Sequence, residues 1–163
     1  MQTLEIEKVP PKSVLVRKSH WVGNILISKG RGCHYIHLAK DKFGLLGIIG
    51  GSLEAGETLK MAALRETSEE AHERVFMRNL KIIWEGTTED LKIKTYNCNF
   101  SVFITEVPYF KSKKIEDDPD IVEIVSFPLF IFLRSMLSKH KMVEFKKKDY
   151  WILKAIKSRL QKI

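Results

Sequence analysis

Four glutamates, Glu57, Glu66, Glu69 and Glu70, fall within a short stretch of one another, and Arg65 lies among them. On a helix, positions 66, 69 and 70 are i, i+3 and i+4, so their carboxylates share one face a few ångströms apart. Arg65 stands four residues before Glu69, within pairing distance. Carboxylates this close repel one another, and on a partly buried edge their pKa values rise. A divalent cation removes the repulsion. Oxygen ligands with no convergent His or Cys suit Mg2+ or Mn2+ better than Zn2+. A solvated acidic helix face is the plainer reading, but it leaves unexplained the glycine pair Gly50 and Gly51 just upstream. Those glycines would let backbone carbonyls approach the same ion.

The segment 51–58, GSLEAGET, comes close to the phosphate-cradling loop GxxxxGK[ST]. It fails at the lysine, where Glu57 would aim a negative charge at a polyphosphate. That loop is rejected.

The acidic residues need a helix. Thr58 is a suitable N-cap, and the pattern predicts a helix to about Ala71. Leu59, Ala62 and Ala63 form one small apolar stripe and Leu64 with Ala71 another, so the helix is expected to pack on two sides with its acidic edge in a crevice. Short β-branched runs predict strands at 13–17, 24–28, 33–38 and 44–49, with a hairpin turn at 28–32. Further strands are expected at 80–86, 91–107 and 120–127, the last preceded by the acidic loop 116–120. In the 91–107 run, Tyr96, Cys98, Phe100, Val102 and Ile104 fall on one face at period two. A basic C-terminal helix is expected over about 149–163, with Asp149 as N-cap and Leu153, Ile156, Leu160 and Ile163 inward. Strands, helix, strands, helix make an α/β (α+β) layer architecture with a mixed sheet.

The 163 residues suit one domain spanning 1–163, long enough for a real core. No apolar run approaches the ~20 residues of a membrane helix, the N-terminus does not read as a signal peptide, and Cys33 and Cys98 lie far apart. Reduced core thiols in a cytoplasmic protein are expected. Of the net charge of +8, nearly all comes from 138–163, where nine lysines and arginines face Glu144 and Asp149. Such a segment fits a polyanion, nucleic acid or a phosphate-rich ligand; a solvated lysine face on a terminal helix is the other reading.

The pattern Gly51-x5-Glu57-x7-Arg65-Glu66-Thr67-x-Glu69-Glu70 resembles the Nudix box, G-x5-E-x7-R-E-U-x-E-E-x-G-U with U aliphatic. Six fixed identities at fixed offsets arise by chance about once in ten million start points, each type having roughly 6–7% usage. The stretch 120–129, DIVEIVSFPL, resembles the family's closing strand and Pro-Leu turn. Three positions depart from the pattern: Thr67 stands where an aliphatic residue is usual, His72 replaces the final Gly, and Glu73 the aliphatic residue after it. Either His72 adopts the positive φ of that Gly or the helix runs on by a turn.

The resemblance implies a Nudix-like mixed sheet sandwiched between helices. It also implies hydrolysis of a nucleoside diphosphate linked to a group X, with Mg2+ or Mn2+. Glu66, Glu69 and Glu70 would bind metal with the Gly50 carbonyl, and Arg65 and Glu57 would hold the carboxylates through a salt bridge. Glu69 or Glu66 could act as general base, and Glu123 is a candidate for an extra ligand or base. For substrate, Phe43, Tyr35 and Trp84 could stack on a base, core packing being the alternative for each. Lys40 and Lys42 could meet phosphates. His34 and His37 are expected to be structural. Three functions follow: a small-nucleotide pyrophosphohydrolase, an RNA 5′-end hydrolase (cap or polyphosphate) gripping its chain through the basic segment, or a non-catalytic Nudix-like nucleotide-binding or regulatory domain. The first is preferred because a minimal domain needs no further contacts for a small ligand.

Overall fold

The computed structural model describes residues 19–137 and 144–163, so the strand expected at 13–17 and the lysines at 139 and 141 lie outside the described residues. Among the described residues eight strands form one sheet: β1 (Ser19–Lys29), β2 (His34–Asp41), β3 (Leu46–Gly47), β4 (Ile49–Ser52), β5 (Lys81–Thr87), β6 (Cys98–Val107), β7 (Lys113–Lys114) and β8 (Ile121–Pro128). Its order is β5-β6-β1-β2-β8-β7, with β3 on β2 and β4 on β1. The β1–β6 pair is parallel and the others antiparallel, a mixed sheet. Helix α1 (Leu59–Ala71) covers one face and α3 (Lys147–Leu160) the other; α2 (Leu129–Ile131) continues in wider turns over Phe132–Met136.

Strand β1 is the hub. Residues 21–28 are buried without alternation, as in a strand covered on both faces. Trp21, Ile25 and Ile27 belong to the core beneath α3, while Val22 and Leu26 join the clusters beneath α1. The first half of β1 pairs with β4 and its end with β2. This is why the strand expected at 44–49 is split. Leu46 and Gly47 fold back on Lys40 and Ala39, Ile48 crosses, and Ile49–Ser52 pairs with Trp21–Asn24. The glycine pair is thereby laid on the central strand, with Gly50 opposite Gly23.

Three other expectations are revised. Strand β6 begins at Cys98, not Leu91, because 88–97 turns back on itself and Thr88 donates its amide to the Cys98 carbonyl. Helix α1 buries a single face, Ala62, Ala63, Glu66, Thr67 and Ala71, not two, with Leu59 and Leu64 only flanking it. Helix α3 starts at Lys147 with Lys146 as N-cap; Asp149 is buried in the first turn, and Ile163, past the helix end, is 45% exposed. Cys98 is a buried free thiol, whereas Cys33 is only half-buried. Among the described residues no helix is long and apolar enough to cross a membrane.

Thr67 replaces an aliphatic side chain without leaving a polar atom alone. Its hydroxyl donates to the Ala63 carbonyl at 2.7 Å and accepts from Asn24 Nδ2 at 2.9 Å; Asn24 Oδ1 accepts from Thr105 at 2.9 Å. Asn24, Thr67 and Thr105 are all buried, so helix and sheet are joined by a closed polar chain. Thr67→Val keeps the shape but strands the Asn24 amide. Chemical denaturation is expected to register a loss of about 1–3 kcal/mol; an unchanged midpoint would mean the chain contributes nothing.

Candidate active site

Helix α1 opens as expected, with the Thr58 hydroxyl accepting from the Met61 amide at 3.1 Å. It closes at His72, whose φ of 54° is left-handed and whose N–H donates to the Ser68 carbonyl. Of the two possibilities for the missing Gly, His72 adopts the positive φ and the helix does not run on. His72 Nε2 lies 2.9 Å from Asp117 Oδ1, and Lys113 Nζ donates to Glu73 Oε1 at 2.9 Å. Both departures from the box are thus paired with the segment around β7.

Arg65 organises the acidic edge. Its Nε and Nη2 donate to the two oxygens of Glu57 at 2.8 and 3.0 Å, a bidentate pair, and Nη1 donates to Glu66 Oε1 at 2.7 Å. Nη2 also reaches the Ser52 carbonyl at 3.0 Å and Nη1 reaches Glu69 Oε2 at 3.4 Å. The Arg65 guanidinium donating to Glu57 holds that carboxyl below the usual glutamate range. Glu57 Oε1 also accepts from the Glu54 amide, which fixes the loop before the helix.

Glu66 and Glu70 turn inward while Glu69 is 57% exposed. Burial pushes Glu66 up, opposed by Arg65. Glu70 is pushed up to about 8, by burial first and then by the charges of Glu66 and Asp118, against the Gly50 amide and Lys146, which favour its ionised form. Gly50 N donates to Glu70 Oε1 at 2.7 Å. A Cβ on Gly51 would stand 2.2 Å from Glu66 Oε1, and one on Gly50 would strike the Val22 carbonyl at 2.4 Å. The two glycines therefore let β4 lie against β1 on one side and a glutamate carboxylate on the other. Gly51→Ala is expected to displace Glu66 and weaken Mn2+ binding roughly 10–100-fold in a metal titration; wild-type affinity would show that Glu66 is not a ligand.

The donor set is hard oxygen throughout, and a partly protonated buried carboxylate beside further acids suits a divalent cation. Among the described residues, no three His, Cys, Asp or Glu side chains converge tightly enough to enclose an ion as they stand. Arg65 and the Gly50 amide hold oxygens that an ion would take over, so Glu66 and Glu70 would turn to bind it.

The remaining candidates separate. Lys40 and Glu123 face each other across β2 and β8. Glu123 shares a sheet face with Val125 and Phe127, which pack beneath α3, opposite the face covered by α1. Besides Glu66, the acid whose charge bears on Glu70 is Asp118. It comes from the acidic loop read in the sequence, but only folding brings it to the helix. Phe43 is 76% exposed beside Lys42, whose Nζ is 3.4 Å from Asp120. Tyr35 packs on Tyr109 with ring centroids 4.8 Å apart, at the opposite end of β2 from Asp41. Trp84 lies on β5, across β6 and β1 from the glycine strand, and lines a groove with Trp151. Trp21, which no sequence signal marked, is the aromatic ring against Gly50 and Gly23. His37 is structural: buried, bonded to Ser28 and Ser126, stacked on Phe110 and held near 4 by burial.

The NUDIX domain model matches residues 15–145. No curated protein matches the sequence. Among solved structures, the NUDIX domain of Shewanella oneidensis NrtR, in complex with ADP ribose, is 13% identical with a TM-score of 0.67, covering 100% of this chain and 99% of that one. A bifunctional NMN adenylyltransferase/ADP ribose pyrophosphatase from Francisella tularensis, complexed with AMP and a Mn ion, is 18% identical with a TM-score of 0.61, covering 96% of this chain and 46% of that one. A MutT/nudix family protein from Enterococcus faecalis is 17% identical with a TM-score of 0.59; 69% of this chain matches it, spanning 44% of its length. At these identities the solved structures establish the shared fold, and the domain match extends over most of the chain. With the glutamates of helix α1 set against the glycine strand and its sheet held between two helices, the chain belongs to the NUDIX domain family.

Proposed function

We propose that the chain is a Nudix-type hydrolase, dependent on Mg2+ or Mn2+, that cleaves the phosphoanhydride bond of a small nucleotide, a nucleoside diphosphate linked to another group. The observation that carries this reading is Glu70: a largely buried carboxyl pushed up to about 8, bonded to the Gly50 amide and beside the acids Glu66 and Asp118. Such an edge is unfavourable in the resting chain and becomes favourable once a cation and a pyrophosphate are shared across it.

Glu66, Glu69 and Glu70 would hold the ions, with the Gly50 carbonyl close by. Bound there, divalent ions neutralise phosphate oxygens and make a water nucleophilic near neutral pH. Arg65 and Glu57 keep the helix edge in register with the glycine strand. Glu69 or Glu66 would accept a proton from the attacking water; the greater exposure of Glu69 supports it in that role.

The basic segment favours a small substrate over an RNA chain. Several of its side chains are engaged by the fold: Lys148 lies 3.7 Å over the Trp21 ring, Lys154 donates to the Leu137 carbonyl, and Arg159 donates to the Ile83 carbonyl. The test is one panel assayed with Mg2+ and with Mn2+: ADP-ribose, nucleoside triphosphates, a dinucleoside tetraphosphate, and RNAs bearing a cap or a 5′-triphosphate. ADP-ribose leads because two of the similar structures are named for it. Faster turnover of a free nucleotide, with little dependence on salt, is expected. Turnover confined to RNA and falling steeply with salt would replace this reading with the 5′-end one. Binding without cleavage across the panel would leave a nucleotide-binding domain.

A further inference from the structure

A pyrophosphate set against Glu66, Glu69 and Glu70 needs positive charge from the opposite wall of the cleft as well as from ions. Most basic side chains near the edge are already engaged. Arg65 is divided among Glu57, Glu66 and the Ser52 carbonyl. Lys42 turns to Asp120 at 3.4 Å, and Lys113 is bonded to Glu73 at 2.9 Å. Lys146 differs. It is the N-cap of α3, its amide donates to the Leu46 carbonyl at 2.9 Å, and Phe145 before it bridges to Leu46. Gly47 leaves room for it: a Cβ there would stand 3.0 Å from Asp149 Oδ2 and 3.4 Å from Lys146 Cδ.

The backbone of Lys146 is therefore held, and its ammonium rests only on one long ion pair. Nζ lies 3.9 Å from Asp41 Oδ2, beyond hydrogen-bonding distance, and the side chain is 40% exposed. Asp41 is fixed and buried, its other oxygen accepting from the Phe43 and Leu45 amides at 2.9 Å. Gly47, against which the Lys146 side chain lies, is three residues from Gly50, whose amide donates to Glu70 Oε1 at 2.7 Å. The ammonium thus rests on a buried aspartate, with donors left to give, beside the strand that leads to Gly50 and the acidic helix edge.

We propose that Lys146 is a substrate-binding residue of this cleft, its ammonium swinging from Asp41 to the non-bridging oxygens of the substrate's diphosphate. The assignment rests on the hydrolase reading and deepens it: the N-cap lysine of the terminal helix serves the cleft, and Asp41 parks it between turnovers.

The experiment uses the full chain with Mg2+ and the non-cleavable probe α,β-methylene-ADP, followed by calorimetry, beside steady-state kinetics on whichever nucleotide the panel identifies. Lys146→Gln is expected to weaken probe binding and raise KM roughly tenfold, with kcat changing much less. Lys146→Arg should restore most of the affinity, and Lys147→Gln, an exposed lysine one residue on, should leave both unchanged. Melting curves of each variant separate misfolding from lost binding. If wild type binds and cleaves while Lys146→Gln matches it, or Lys147→Gln is equally weakened, the assignment of Lys146 is overturned and the hydrolase reading stands. If wild type neither binds the probe nor cleaves any nucleotide, the hydrolase reading falls and the assignment with it.

Discussion

Glu70→Gln is expected to make the ion-free protein more stable at pH 8 and, at the same time, to lower metal-dependent turnover by about a thousandfold. The two effects share one cause. The Glu70 carboxyl titrates near 8 in the folded chain, against 4.5 as the ordinary value, because burial and the charges of Glu66 and Asp118 disfavour its ionised form. Between those two pH values the folded chain binds more protons than the unfolded one. The stability contributed by this group is therefore complete below pH 4.5 and is lost as pH rises through about 8. Gln carries no charge to lose, and its carbonyl can still accept from the Gly50 amide. At pH 8 the variant should gain on the order of 2 kcal/mol, or roughly 4–8 °C in melting temperature for a chain of this size. At pH 4 the two proteins should melt together. Metal affinity of wild type should rise with pH up to about 8, since binding displaces the Glu70 proton. A variant that melts with wild type at pH 8 would show that Glu70 is not held protonated. A variant that keeps its turnover would remove Glu70 from the ion site.

Arg65→Ala has the opposite profile: lower stability and lower activity together. The guanidinium is 21% exposed, and its main partners, Glu57 and Glu66, are more buried still, at 13% and 12%. Those neighbours hold the Arg65 proton more tightly than in free arginine, the bonded Glu57 foremost. Removing the cation leaves two inward-facing carboxylates and the Ser52 carbonyl without their donor. A loss of about 3 kcal/mol is expected, with Mn2+ affinity down roughly 10–100-fold because the ligands lose their orientation. Arg65→Lys restores the charge but cannot span both oxygens of Glu57, so it should recover only part of each loss. Saturating Mn2+ should recover more of the lost melting temperature in Arg65→Ala than it adds to wild type, since the ion then supplies the missing charge. If denaturation curves of Arg65→Ala and wild type superimpose, this network does not hold the edge together.

Local pattern alone determined a good deal. The 3.6-residue period put Glu66, Glu69 and Glu70 together, and Thr58 set the helix start, because both depend on contacts within a turn or two. Strand positions at 24–28, 33–38, 80–86 and 120–127 followed from β-branched runs bounded by turn residues, and all four are strands. Only tertiary structure decided the rest. The division of 44–49 into β3, paired with β2, and β4, paired with β1, depends on which neighbour each residue meets across the sheet, and no window of sequence contains both neighbours. The same holds for Asp118 beside Glu70, Trp21 against Gly50 and Lys146 beside Asp41. Each is a meeting of segments tens of residues apart, governed by sheet register and by the close approach that Gly47, Gly50 and Gly51 permit. The basic segment makes the contrast plain. Composition established its charge, but charge has no direction until a helix is packed, and packing turned Lys146 toward Asp41 and others onto an aromatic ring and two carbonyls.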